Sequence, residues 1–118
     1  MFSPQLLDHF EHPRNAGDVA HPDGEVQVEN PACGDVVRLS ARLNDGRLTA
    51  LGFRAKGCVA AMACASATTE LAKGRTLAEA RAITRADVIE AVGGVPKAST
   101  HAAQLALDAL SALLDKLE

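Results

Sequence analysis

Two cysteines and an aspartate, Cys33, Asp35 and Cys58, carry the clearest chemistry in this sequence. Thiolates and carboxylates are ligands for zinc and iron, and a thiolate also attacks sulfur. The chain has three cysteines, an odd number, and its N-terminus shows no basic region followed by an apolar run, so free thiols in a reducing cytoplasm are expected. A simpler interpretation also fits, in which Cys33 and Cys58 are small buried hydrophobic side chains.

A predicted β-sheet positions these three residues. Apolar side chains alternate with polar ones through much of residues 25–56, which predicts three strands, and Asn44–Gly46 predicts a tight hairpin turn. Such a turn pairs residues whose numbers add up to about 91, so Cys33 and Cys58 should face each other at one end of the sheet. The two-residue period of a strand then points Asp35 the same way as Cys33. We predict that the two sulfurs lie close enough to share a metal.

Helices account for the rest of the predicted fold. Ser3 followed by proline favours a first helix, Val59–Lys73 is rich in alanine, and capping boxes at Thr76 and Thr84 predict two short helices. A last helix begins near Ser99 or Thr100 and carries one apolar stripe, made of Ala103, Leu107, Leu110, Leu114 and Leu117. Strands followed by helices predict an α+β fold, a three-stranded antiparallel sheet with helices packed on one face, in a single domain over residues 1–118.

The Val59–Lys73 helix bears on two of the cysteines. Cys58 stands at its N-terminus, where the helix dipole stabilises a thiolate. Cys64 lies six residues further, about 240° around the helix axis, so it is expected to be a buried core residue. The alternative for Cys64 is a part in redox or sulfur chemistry.

Charge and hydropathy argue against two classes of partner. The net charge is -3, with 15 acidic and 12 basic residues interspersed, whereas nucleic-acid binding needs a concentrated basic face. No apolar stretch approaches the roughly 18 residues of a membrane span. We therefore expect neither nucleic acid nor membrane as a partner.

Several linked segments resemble the NifU-like family of IscU-type iron–sulfur cluster assembly scaffolds. The segment 7–15, Leu-Asp-His-Phe-Glu-His-Pro-Arg-Asn, is similar to the family's N-terminal signature, and Asn30–Asp35 to its first ligand loop. The family's second ligand loop is resembled by Gly57-Cys58, which is followed by a helix of small residues and then by Lys73–Leu77. The resemblance runs through nearly the whole chain in order and implies the NifU-like fold.

The resemblance also implies a ligand set and a missing thiol. It identifies Cys33, Asp35 and Cys58 as ligands of a cluster or a metal, and it adds His101, which matches a family histidine at the start of the last helix. The family's third cysteine follows that histidine, but Ala102 occupies its place here. We expect Ala102 to be partly exposed, so that a cysteine there would increase the yield of cluster. The proline-rich stretch that binds a chaperone in the family is altered as well, in 94–99.

Two functions of different classes follow. The first is a cluster-assembly scaffold, not an enzyme, that binds iron or a [2Fe–2S] cluster through Cys33, Asp35, Cys58 and His101; the resemblance implies a cysteine desulfurase and acceptor apoproteins as its partners. The second is a degenerate member that uses the same four ligands as a zinc-binding or regulatory module without cluster assembly. A thiol enzyme based on Cys58 is a weaker idea, because no general base can be identified for it.

The histidines of the first helix have two interpretations. His9 and His12 are three residues apart and face the same way, so together with His21 they suggest a second metal site. The family match explains His9 instead as part of a docking or structural segment, and we prefer that interpretation.

Overall fold

The computed structural model describes residues 2–118, and in it helices pack on one face of a three-stranded antiparallel sheet of order β1-β2-β3. This confirms the predicted α+β architecture. A short 3-10 helix, Lys97–Ser99, precedes the last helix. The elements in chain order are α1 (Pro4–Glu11), β1 (Gly24–Glu29), β2 (Val36–Asn44), β3 (Arg47–Lys56), α2 (Val59–Ala72), α3 (Leu77–Arg81), α4 (Arg85–Ala91) and α5 (Thr100–Leu117).

The helices begin and end where local chemistry dictates. Ser3 accepts a hydrogen bond from the backbone N–H of Leu6 at the start of α1. Thr76 and Thr84 each form the predicted capping box, at the starts of α3 and α4. Within residues 2–118 no helix combines the length and the apolarity that crossing a bilayer requires.

The β2–β3 hairpin departs from the predicted register. Its turn is the expected one, with Asp45 and Gly46 both at positive φ. An irregularity between Arg42 and Leu43 then shifts the pairing by one residue, so that Val36 lies opposite Lys56. The prediction that the hairpin sets Cys33 directly opposite Cys58 is therefore wrong. Both cysteines nevertheless lie just beyond the Val36–Lys56 pair, at the same end of the sheet.

The segment between α1 and β1 runs along β3, which is an edge strand of the sheet, and also contacts β2, where the Ser40 hydroxyl accepts a hydrogen bond from the backbone N–H of Val19. Phe53 of β3 exchanges backbone hydrogen bonds with Asn15 and Gly17, which pairs an otherwise open strand edge. A Cβ at Gly52 would come within 2.4 Å of the Gly17 carbonyl oxygen, so only glycine allows this close approach.

Two clusters of buried side chains form the core. The first lies between the sheet and α5 and includes Leu39, Phe53 and Leu110. The second lies among α1, α2, α4 and α5 and consists largely of alanines, with Cys64 and Ala102 among them. The single stripe predicted for α5 is too narrow, because this helix also buries Ala102, Leu105, Ala106, Ala109 and Leu113.

His9 belongs to a buried polar network that ties α1 to α2. Its Nδ1 lies 2.8 Å from the Ser66 hydroxyl oxygen, which also accepts a hydrogen bond from the backbone N–H of Arg14. Its Nε2 lies 3.8 Å from a Glu70 carboxylate oxygen, and the Arg14 side chain pairs with both Glu70 and Asp8. This supports the structural interpretation of His9 over a second metal site.

We expect the free energy of unfolding to fall as the pH drops below about 6.5. Burial lowers the pKa of His9, and the charge of Arg14 lowers it further against the opposing effect of Glu70 and Asp8. A lowered pKa means that the unfolded chain takes up the proton first, so stability is complete above the ordinary value of 6.5 and is lost below it. Each unit of lowering removes about 1.4 kcal/mol.

Urea denaturation at several pH values between 8 and 5 measures this loss. His9→Gln keeps a hydrogen-bonding group but does not titrate, so it should flatten the pH dependence. His12→Gln changes an exposed histidine beside the same helix and should leave the dependence in place. Equal slopes in all three proteins would contradict the assignment to His9.

Candidate metal and cluster site

Cys33 lies in a tight turn between β1 and β2, not in a strand as predicted. The Asn30 carbonyl oxygen accepts hydrogen bonds from the backbone N–H groups of Cys33 and Gly34, and the Asn30 side chain accepts one from Ala32. This asparagine turn, together with Gly34 at φ +76°, leaves the thiol of Cys33 exposed at the tip. The structural role of Asn30 was missed, although an asparagine before proline is a recognisable signal for such a turn.

Asp35 is the centre of the site. Its side chain is buried, and its Oδ1 accepts a hydrogen bond of 3.2 Å from the backbone N–H of Cys58. Its Oδ2 lies 3.5 Å from the sulfur of Cys58 and 3.5 Å from Nε2 of His101. One carboxylate oxygen is thus shared between a sulfur and a ring nitrogen.

The surroundings of Asp35 favour the ionised carboxylate. Burial by itself raises the pKa of this group. Hydrogen bonds from the thiols of Cys33 and Cys58 and from a backbone N–H, with the nearby His101 ring, outweigh burial and lower the pKa below its ordinary 3.8. The site therefore holds a fixed negative charge, which attracts a cation.

Cys58 is the N-cap of α2, as its position in the sequence predicts. Its sulfur accepts a hydrogen bond of 3.4 Å from the backbone N–H of Ala61. Although the residue is exposed, partial burial of its sulfur raises the pKa of the thiol above its ordinary 9.0, and Asp35 adds to the rise against the effect of Ala61. The N-terminus of α2 does lower the pKa of this thiol, as predicted, but burial outweighs the effect, so a bound metal has to displace the thiol proton.

Three potential ligands converge here. One atom each from Cys33, Asp35 and His101 lies within 4.8 Å of the other two, and this is the one such group of three found in residues 2–118. Neighbouring ligand atoms around tetrahedral zinc are about 3.3–3.8 Å apart, given metal–ligand bonds of about 2.0–2.3 Å. The two contacts of Asp35 Oδ2 already have that spacing.

Cys58 stands just outside this group of three but contacts its central carboxylate. The four side chains predicted from the sequence thus lie at one end of the sheet. Cys33 and Cys58 are exposed and His101 is half-buried, so the site is open to solvent. Whether the two sulfurs share one metal stays a prediction.

Two further residues are buried in the core. Cys64 is fully buried, as predicted, and burial raises the pKa of its thiol to about 12. Ala102 is also fully buried, in the same core cluster as Cys64. The expectation of a partly exposed Ala102 is wrong, because the side chain after His101 turns about 100° further around α5 and faces the neighbouring helices.

Gly57→Ala should weaken metal binding by displacing Asp35. A Cβ at this position would come within 2.1 Å of Oδ1 of Asp35, and φ here is +142°. The carboxylate has to move, so zinc or cobalt affinity should fall at least about tenfold, which corresponds to a loss of about 1.4 kcal/mol of binding free energy.

Gly74→Ala is the matched control, because Gly74 also has positive φ but has nothing within 4 Å of the added Cβ. Backbone strain should cost Gly74→Ala about 1 kcal/mol of stability, and Gly57→Ala should lose more because its added Cβ also meets Asp35. Isothermal calorimetry of metal binding compares the metal affinities of the two variants. Equal metal affinity in the two variants would show that the Asp35 carboxylate does not hold the metal.

The fold is a small α+β domain with an open group of thiol, carboxylate and imidazole side chains that could hold a metal ion. Residues 1–118 match the family described as the NifU-like N-terminal domain. The chain belongs to this family.

Named relatives agree with this assignment. The chain is 46% identical over 110 residues to the iron–sulfur cluster assembly scaffold protein IscU 1 of Archaeoglobus fulgidus, covering 93% of this chain and 72% of the relative. It is 41% identical over 115 residues to the scaffold protein IscU of Azotobacter vinelandii, covering 94% and 89%.

Solved structures share the fold. A NifU-like protein (N-terminal) from Brucella abortus superposes with a TM-score of 0.79 at 21% identity, covering 98% of this chain and 92% of that one. A putative iron–sulfur cluster assembly scaffold protein from Fervidobacterium islandicum also has a TM-score of 0.79, at 16% identity and 96% coverage of both chains.

Proposed function

We propose that this protein is an iron–sulfur cluster assembly scaffold, which binds iron and then a cluster as cargo and passes the cluster on. The observation that carries the proposal is the convergence of Cys33, Asp35 and His101, with Cys58 against the same carboxylate. The identity to scaffold proteins over more than nine-tenths of the chain supports it.

Each proposed ligand has a chemical part. Cys33 and Cys58 are soft ligands that iron in a sulfide cluster prefers, and both thiols are exposed enough to meet a sulfur donor. Asp35 and His101 are harder ligands, suited to capturing the incoming iron ion and easier to replace than thiolates. A site of this mixed kind holds its cargo without retaining it permanently.

The proposal includes partners and a compartment. The sulfur would come from a cysteine desulfurase, and the cluster would leave to acceptor apoproteins whose own thiolates replace the scaffold's ligands. The protein would act as a carrier and not as an enzyme. Its exposed free thiols suit the reducing cytoplasm.

A second candidate is a zinc-binding or regulatory module. Ala102 favours it, since the core position after His101 offers no third thiol near the site. Cys33, Asp35, Cys58 and His101 would then complete a mixed tetrahedral zinc site.

The metal and sulfide content of the anaerobically purified protein distinguishes the two candidate functions. A scaffold should contain iron and acid-labile sulfide and show the visible absorption bands of an iron–sulfur cluster, at purification or after reconstitution. Stoichiometric zinc without colour, retained through reconstitution with iron and sulfide, would support the second candidate instead.

A further inference from the structure

The outer edge of β1 presents a row of backbone groups with no partner strand. In an antiparallel ladder, residues that bond the neighbouring strand alternate with residues whose N–H and C=O point away from it. The backbone N–H of Asn30 donates to the carbonyl oxygen of Asp35, just before β2, and this bond fixes the alternation along β1. Glu25, Gln27 and Glu29 therefore direct their backbone groups outward, where the sheet has no further strand.

This edge is uncovered, unlike the opposite edge of the sheet. The segment between α1 and β1 pairs with β3, whereas the one hydrogen bond to the outward row of β1 in residues 2–118 runs over 2.9 Å from the Lys116 ammonium to the Glu25 carbonyl oxygen. Val26 and Val28 pack against the core but stay half-buried, as expected beside an open edge. An exposed row of this kind is a template for another strand.

A cavity of about 270 Å³ continues this edge toward the metal site. It lies between the end of β1 and α5, and the residues that line it include Glu29, His101 and Asp108. Asp108 accepts a hydrogen bond from Gln104, and in residues 2–118 no cation pairs with Asp108 or with Glu29. Two carboxylates on the wall of one cavity attract a cationic side chain.

We propose that β1 is a docking edge for an extended, basic segment of a partner protein, which adds to the sheet as a fourth strand and places a lysine or arginine between Glu29 and Asp108. Backbone hydrogen bonds then supply the affinity, and charge selects the partner. The docked segment lies beside His101, which holds the partner next to the metal site. This inference goes beyond the proposed function, because it applies whichever cargo the site carries.

A second copy of this chain is a poor occupant of the same edge. A twofold axis would pair β1 with itself in antiparallel orientation. The register that pairs the whole outward row is centred on Gln27, and it puts Glu25 of each copy opposite Glu29 of the other. Like charges placed directly opposite each other destabilise a strand pair. The glutamates therefore select against self-association and favour a basic strand.

Titration with a short peptide tests the inference. The probe is a seven-residue peptide of alternating lysine and threonine with both ends blocked, and isothermal calorimetry measures its dissociation constant. In NMR spectra, backbone amide shifts should change mainly in residues 25–29 and 101–108. The same peptide with N-methyl groups on its lysine amides keeps the charge but cannot pair with β1. It should bind at least about fivefold more weakly, the loss expected for about one backbone hydrogen bond.

Two variants with matched controls separate strand pairing from charge. Gln27→Pro removes one outward N–H, which is tolerated on an edge strand, and should weaken binding at least about fivefold relative to Gln27→Ala. Glu29→Lys should weaken binding as well. Glu90→Lys makes the same change in net charge on an exposed residue of α4 and should leave the dissociation constant unchanged. Urea denaturation checks that each variant is folded.

Three outcomes would overturn the inference: no binding of the lysine peptide at millimolar concentration, equal binding of the N-methylated peptide, and equal binding by Glu29→Lys and Glu90→Lys. It would also be overturned if light scattering showed a pair of chains that Gln27→Pro converts to single chains, because the occupant would then be a second copy. None of these results concerns the cargo, so the scaffold function is decided separately by the content of iron and sulfide.

Discussion

Cys58→Ser should abolish metal and cluster retention and leave the fold at least as stable as before. Cys58 caps α2 through its sulfur, which accepts the backbone N–H of Ala61 over 3.4 Å. Sulfur is a weak acceptor, whereas serine is among the preferred N-cap residues, so stability should be equal or higher by about 0.5 kcal/mol. A hydroxyl does not replace a thiolate as a ligand, and metal affinity should fall by more than about 100-fold.

Metal analysis of the purified variant and urea denaturation check the two halves of this expectation separately. Cys64→Ser is the control, because it makes the same change on a fully buried residue outside the group of candidate ligands. It should keep its metal and lose about 1–3 kcal/mol of stability, since the hydroxyl is buried in an apolar cluster. Loss of metal from a folded Cys64→Ser protein would place Cys64 in the site and contradict the account.

Ala102→Cys should not increase the cluster yield and should destabilise the fold. The sequence alone suggested the opposite, but Ala102 has no exposed surface and packs in a cluster that is mostly alanine. A sulfur atom added there has no room and costs about 1–3 kcal/mol, as overpacked cores do. Its thiol would also face the helices instead of Asp35.

Parallel reconstitution of both proteins, with cluster counted per chain, tests this expectation. Thr100→Cys provides a comparison, because it puts a thiol on the other side of His101 at an exposed position. A higher yield or a longer cluster lifetime in Ala102→Cys alone would show that the first turn of α5 rearranges on loading, contrary to the packing described here.

Local signals in the sequence predicted most of the elements. Capping boxes at Thr76 and Thr84, the turn at Asp45–Gly46 and the two-residue period of β2 each act within a few residues, and all three appear as expected. Cys58 as a helix cap was predictable for the same reason.

Features that depend on tertiary contacts were not predictable in this way. The shift of register between Arg42 and Leu43 is not indicated by the turn residues, and the side chain that contacts Cys58 is Asp35. The burial of Ala102 depends on helices from elsewhere in the chain, and so does the network that joins His9 to Ser66.

Cluster transfer is the most direct measurement of the central claim that this protein carries a cluster as cargo. The loaded scaffold is mixed anaerobically with an excess of an apoprotein that takes a [2Fe–2S] cluster, in the presence of an iron chelator that competes for released iron. Holo-acceptor should form stoichiometrically with loss of the scaffold's own spectrum, and the chelator should not reduce the yield. Iron trapped by the chelator with no holo-acceptor formed would contradict the claim, because the site would then bind iron without delivering a cluster.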